Sequence, residues 1–362
     1  MAEPPQGRIF RTARWVLAMS AVIRSPSSQQ GRILLIAIAL ILLAALGAAA
    51  AVWHLYQRPL PLRDERVEIV VPAGVSARAI AQALREKGVD VNVDLFVAAA
   101  RWTEATQRLR AGRYEITRGM RIADILDRLI RGETLKERLT IVEGWTFREM
   151  RAALAAHPLL KRDSGTMTDA QVLAAVGSTE SHPEGLFAPD TYVFDAGSSD
   201  LEVLRQAYRA QQTRLSRAWQ ERAADLPLKS PYEALILASI VEKETGQSAE
   251  RGRIAGVFIN RLRTGMLLQT DPTVIYGLGD KFDGNLRKRD LTADTPYNTY
   301  TRGGLPPTPI ALPGQASIEA ALKPEQTRAL YFVARGDGTS QFSDSLAEHN
   351  RAVAKHQLGG KK

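Results

Sequence analysis

The 362-residue chain is 45% hydrophobic and 24% charged, enough for one anchored segment plus two globular units and too apolar for a disordered protein. It contains no cysteine, which excludes disulfide frameworks, thiolate metal sites and cysteine nucleophiles. Of its net charge of +9, +4 lies in residues 1–32, where Arg8, Arg11, Arg14, Arg24 and Arg32 face Glu3 alone, and the other 330 residues share +5. The remainder has no basic block with interleaved aromatics, so nucleic acid is not an expected partner. His54, His157, His182, His349 and His356 fall into no zinc-ligand spacing, and neither a metal nor another cofactor is expected.

Residues 1–32 read as a cytoplasmic tail. Within it FRTARWVLAMSAVI, residues 10–23, reads either as a short amphipathic surface helix or as an irregular tail. ILLIAIALILLAALGAAAAVW then runs from Ile33 to Trp53 without a formal charge. At ~1.5 Å per residue it reaches ~30 Å, the hydrocarbon thickness of a bilayer, which predicts one transmembrane helix over residues 33–55. The apolar run is longer than the core of a cleaved signal peptide. Its more cationic flank stays in the cytoplasm, so the N-terminus is expected inside and everything after the helix outside. Trp53 and Tyr56 occupy interfacial positions, and Pro59 and Pro61 break the helix.

Three later segments, VPAGVSARAIAQAL (71–84), ITRGMRIADILDRL (116–129) and IVEGWTFREMRAAL (141–154), each pass from β-branched residues through a glycine turn into an amphipathic helix. Their uneven spacing makes them a reused strand-turn-helix unit rather than a solenoid. The first two bracket a small α+β module over residues 65–135, which resembles the LysM-type modules that grip glycans and reads equally as a plain packing module. Residues 155–200 carry Gly, Ser, Pro and Asp clusters and read as loops. The predicted fold class is α+β: one N-terminal transmembrane helix, the small LysM-like module, and a larger α+β catalytic domain over residues 138–355.

SPYEALILASIVEKETG, residues 230–246, marks a helix with Ser230 as N-cap, Pro231 at its first position, Glu233 completing a capping box and Gly246 as its stop. From Ala234 to Val241 only Ser239 is polar, so the helix is expected to be buried on most sides. Glu242 and Glu244 sit in its last turn, where the helix dipole disfavours negative charge. Burial and the dipole would both raise a carboxyl pKa, as a general acid near neutral pH requires. Glu244 continues the bulky stripe of Leu237, Ile240 and Val241 and is the better candidate acid, while Glu242 follows smaller residues. The alternative is that Lys243, Arg251 or Arg253 neutralises both acids structurally. Downstream, Gln269, Thr270, Asp271 and Tyr276 lie in a stretch read as a loop, and PYNTYTRGGLPPTPIALPG (296–314) reads as a stiff surface segment. Their amides, hydroxyls and aromatic faces suit sugar recognition.

EGLFAPDTY (184–192), ASIVEKET (238–245), VFINRLRTGMLLQTDPTVIYGLG (257–279), YNTYTRGGLPPTPIALPG (297–314) and YFVARGDGTSQFSDSLAEHN (331–350) together resemble the endolytic murein transglycosylases, membrane-anchored peptidoglycan lyases. The resemblance covers the anchor and residues 65–355; the tail before the anchor is longer than is usual for that family. It implies an inner-membrane protein with a periplasmic catalytic domain that acts on glycan strands of peptidoglycan, with cell-wall synthases as possible partners. It implies that protonated Glu244 donates to the oxygen between MurNAc and GlcNAc while the muramic C6 hydroxyl attacks C1, giving a 1,6-anhydro end and terminating glycan elongation. Glu250, Gln269, Asp271, Tyr276, Asn298, Thr299 and Tyr300 are the expected substrate contacts, with Glu250 alternatively a helix cap and Asp271 alternatively a turn former. Two other readings remain: a noncatalytic membrane-tethered glycan-binding scaffold, and a hydrolase using Asp271 as second carboxylate.

Overall fold

The structure, a computed structural model, describes residues 29–72 and 74–358; the segment 10–23 lies outside the described residues. By its contacts the chain divides into two units.

The first unit contains helix α1 (Gln29–Gln57), most of strand β1 (Arg66–Val71), α2 (Ala77–Glu86), α3 (Val93–Trp102), the end of β2 (Gly112–Thr117) and α4 (Ile122–Arg131). Residues 32–57 of α1 are long and apolar enough to cross a membrane, and the side chains of residues 32–55 are exposed, Leu46 at 71%. β1 and β2 form a two-stranded sheet. α2 begins at Ser76, whose hydroxyl accepts the Ala79 N–H, and α3 at Asn92, whose side chain accepts the Leu95 N–H, so each entry supplies an orphan donor with a partner. Ile80, Leu84, Phe96, Ile116, Ile125 and Leu129 are buried.

The second unit is built on β3 (Lys136–Thr140), α5 (Phe147–Ala156), α6 (Asp169–Val176), β4 (Thr191–Asp195), α7 (Asp200–Gln220), α8 (Pro231–Glu244), α9 (Arg251–Thr264), α10 (Asp271–Leu278), α11 (Lys288–Thr292), α12 (Gln315–Leu322), β5 (Tyr331–Ala334), β6 (Ser340–Ser343) and α13 (Leu346–Val353). β3 and β4 pair antiparallel from Lys136 opposite Asp195 to Thr140 opposite Thr191, and β5 and β6 form a hairpin. The centre is α8, packed by α7, α9, α10 and α12. All eight residues from Ala234 to Val241 are buried, as the apolar run predicts.

Several local expectations are corrected. Residues 155–200 are not merely loops: Thr168 and Gln171 form a capping box that starts α6, Gly177 in the left-handed region ends it, and β4 takes its register from β3. The stretch after Gln269 is helical rather than a loop, with Pro272 in the first turn of α10. Residues 308–314, expected at the surface, are buried. Their backbone is bonded on both sides: the Ile310 N–H donates to Ser239 Oγ at 3.0 Å, and the Leu312 N–H to the Trp145 carbonyl at 2.6 Å. Tertiary hydrogen bonds thus replace the water a proline-rich segment would otherwise need. In α8 the expected capping box is half formed, since Glu233 takes the Lys229 N–H instead of that of Ser230. The helix ends where Thr245 turns extended, not at a left-handed Gly246.

α9 lies close against the chain at 325–327, and a Cβ built on Gly256 would meet the Glu325 carbonyl oxygen at 2.5 Å and Thr327 Cγ2 at 2.8 Å. Alanine usually stabilises a helix interior by about 1 kcal/mol over glycine. Gly256→Ala is expected to reverse that sign and destabilise by about 2 kcal/mol, because backbone must move; thermal unfolding of the full chain in detergent measures it.

Candidate functional site

The two carboxylates at the end of α8 meet different surroundings. Glu242 is taken up structurally: the Gly314 N–H donates to its Oε2 at 2.8 Å, and Arg251 lies 3.3 Å from Oε1 with both side chains largely buried. Among the described residues no cation forms an ion pair with Glu244. Its Oε1 accepts the hydroxyl of Thr270, itself buried, and among the described residues no donor reaches Oε2. Burial is the largest influence on Glu244 and raises its pKa to about 7. The Thr270 bond and the more distant charge of Arg261 pull it down, and Asp271 pushes it further up. A carboxyl with a pKa of about 7 is partly protonated at neutral pH, which is the disposition a general acid needs.

Thr270 is fixed from three sides. Its N–H donates to Thr299 Oγ1 at 3.1 Å, its carbonyl accepts the Thr273 hydroxyl at 2.8 Å, and the Gln269 N–H before it donates to the Thr299 carbonyl at 3.1 Å. Gln269 enters this arrangement with φ of 50°, a left-handed conformation rare outside glycine. Arg261, on the buried face of α9, caps the carbonyls of Leu267 and Leu268 at 3.1 and 2.8 Å and that of Leu330 at 2.7 Å. It therefore holds the approach to Thr270 while lending Glu244 a positive field.

The expected substrate contacts separate into groups. Gln269 and Asp271 are exposed beside Thr270, and Tyr300, half-buried, donates its hydroxyl to Asp271 Oδ1 at 2.6 Å. Asn298 and Thr299 are 1% and 2% exposed. The Asn298 amide donates to the carbonyls of Asp290, Leu291 and Ala293, and its oxygen accepts the Tyr300 N–H, so these two residues shape the loop instead of facing a ligand. Glu250 makes no side-chain cap on α9; it accepts the Ser340 N–H at 2.7 Å and hydroxyl at 2.8 Å, securing the β5–β6 hairpin.

Tyr276 leads to a group the sequence did not single out. Its hydroxyl donates to Glu184 Oε2 at 3.1 Å, while the Phe147 N–H donates to Glu184 Oε1 at 2.8 Å. Glu184 is 3% exposed, and burial, opposed by these donors, raises its pKa to about 7. It lines a cleft of about 970 Å³ with Phe147, Lys243, Pro272, Tyr276 and Tyr297. Lys243 and Pro272 are the chain neighbours of Glu244 and Asp271, which do not themselves line the cleft.

Replacing Thr270 by valine keeps its shape and removes the donor to Glu244. The Glu244 titration midpoint is expected to rise above about 7 by about 1 pH unit, read from its side-chain carboxyl carbon by NMR. The Glu184 pKa is raised in the folded state above its ordinary 4.5, so its contribution to stability is present below 4.5 and lost as pH rises through about 7. Glu184→Gln is therefore expected to gain stability relative to the parent over that window, by about 3 kcal/mol in total, in urea titrations across the pH range.

The YceG-like family model matches residues 69–355. An endolytic murein transglycosylase of Bacillus subtilis is 34% identical over 307 residues, covering 80% of this chain and 84% of that protein. One from Streptococcus pneumoniae is 28% identical over 325 residues, 80% of this chain and 58% of the longer relative. The crystal structure of a yceG-like protein from Listeria monocytogenes, 33% identical, superposes with a TM-score of 0.50 over 79% of this chain and 98% of its own. With most of its length matched in sequence and in fold, the chain belongs to the YceG-like family.

Proposed function

We propose that this protein is an endolytic murein transglycosylase, a lyase that cuts the β-1,4 bond between MurNAc and GlcNAc within peptidoglycan strands. Glu244 carries the reading: a carboxyl protonated near neutral pH, without a cationic partner, held by one hydroxyl on one oxygen. The names of the relatives point to the same substrate.

The steps follow from that arrangement. The free oxygen of Glu244 donates its proton to the glycosidic oxygen as positive charge grows at C1 of the muramic sugar. The carboxylate left behind is stabilised by the Thr270 hydroxyl and by the field of Arg261. It then accepts the proton of the muramic C6 hydroxyl as that oxygen closes on C1, so the strand ends in 1,6-anhydro-MurNAc without consuming water. Exposed Gln269 and Asp271, with Tyr300 bonded to Asp271, adjoin Thr270, the partner of the acid, and offer groups for glycan hydroxyls and acetamides. Tyr276 and Glu184 serve the adjoining cleft. Cutting nascent strands in this way terminates their elongation, and cell-wall synthases that make those strands are the natural partners.

α1 serves as a single-pass inner-membrane anchor with the arginine-rich N-terminus in the cytoplasm and the catalytic unit in the periplasm. The module between α1 and β3, with two helices between its paired strands, acts as a LysM-like glycan grip.

Glu244→Gln is expected to lower cleavage of purified peptidoglycan by at least about 10²-fold, with anhydro-MurNAc ends appearing in the parent digest alone by mass spectrometry. Product heavier by one water would point to hydrolysis, and equal activity of parent and variant to a noncatalytic scaffold. Because the acid must be protonated, kcat/KM is expected to fall as pH rises through about 7, approaching about tenfold per pH unit.

A further inference from the structure

Trp102 closes α3 and is 68% exposed, whereas Phe96 on the same helix is fully buried. It is not isolated. Its ring centroid lies 6.2 Å from that of Trp53 in an edge-on arrangement and 6.4 Å from that of Tyr56, and Trp53 and Tyr56 are themselves 6.0 Å apart. Three aromatic rings, two from the end of α1 and one from the folded module, thus sit at one level.

Beneath them runs a groove of about 580 Å³ lined by Leu46, Ala49, Ala50, Val52, Trp53 and Trp102. The alanines make it: their short side chains leave a trough along α1, and the Trp102 indole roofs one end. From Leu46 to Trp53 the trough descends seven residues, or ~10 Å, into the apolar length of the helix. Among the described residues its lining is aliphatic apart from the two indoles. An occupant must therefore be hydrocarbon along its length and polar only at the top, as a lipid is, and the groove is continuous with the helix surface that the bilayer covers.

Resting on the reading of α1 as a membrane anchor, we infer that Trp102 is a second membrane contact: its indole lies at the boundary of headgroups and acyl chains beside Trp53 and Tyr56, and a lipid acyl chain fills the groove below it. Indoles favour that boundary because the ring is apolar and the N–H finds ester and phosphate oxygens. Exposed Arg58 and Arg101, next in sequence to the helix end and to Trp102, supply cations where lipid phosphates lie. The module is then held to the bilayer surface at two points, not hinged at one.

The test uses the full chain in phospholipid bilayers whose acyl chains are brominated either near the headgroup or near the bilayer centre. One variant keeps Trp102 alone by changing Trp15, Trp53, Trp145 and Trp219 to phenylalanine; a second keeps Trp53 alone. Emission from Trp102 is expected to fall about twofold with shallow bromines and little with deep ones. The difference in emission between the parent and Trp102→Phe supplies the same reading if the fourfold replacement impairs folding. Unquenched Trp102 beside quenched Trp53 would overturn the inference and leave the anchor standing, the groove then belonging to a protein partner or to none. Unquenched Trp53 would sink the anchor reading and the inference with it.

Discussion

Helix α8 leaves the core through its last turn, and there one carboxylate is neutralised and the other is not. Glu242 points back to Arg251 and the Gly314 amide, ending as an ordinary buried ion pair. Two residues later Glu244, among the described residues, is hydrogen-bonded by the Thr270 hydroxyl alone. The helix dipole and the surrounding apolar packing act on both groups, so the difference lies in partners alone. Every other feature near the site preserves that asymmetry. Arg261 is close enough to be felt by Glu244 yet is occupied by three carbonyls, and Asp271 adds charge of the wrong sign for ionisation.

The side of the site opposite α8 is held by hydrogen bonds more than by packing. Thr270, Thr273 and Thr299 share hydroxyls and backbone groups across two chain segments, and Asn298 ties a third to them through the carbonyls of 290–293. Buried networks of this kind are rigid when fully satisfied. The exposed residues that remain, Gln269 and Asp271, project from a frame whose own polar groups are spent.

What could be read from the sequence was whatever rested on long, regular patterns. The apolar run of α1, the Ser230–Pro231 start of α8, its buried stretch and the distinction between Glu242 and Glu244 all follow from helical periodicity, which sums over many residues. What escaped depended on pairings between distant segments. α6 and β4 hide among turn formers, and α10 is short enough for its Asp271–Pro272 opening to look like a turn. The buried passage of 308–314 exists only because Ser239 and Trp145 receive its backbone. Glu184 sits between proline and glycine with no periodicity to betray its burial, whereas Arg261 went unread although it falls four residues after Val257 and three after Phe258 on the inward face of α9. Asn298, Thr299 and Glu250 were chosen for the chemistry of their side chains, and each spends that chemistry on the protein itself.

The complete enclosure of Ala234–Val241 bears on timing. A helix without a solvated face gains little by forming alone, so its final turn is assembled only when α7, α9, α10 and α12 have closed around it. Until then Glu244 is an ordinary solvated carboxylate, ionised at neutral pH and unable to donate a proton. The chain thus passes through the period in which it is unfolded with Glu244 ionised, and the carboxyl gains its raised pKa in the same event that completes the core.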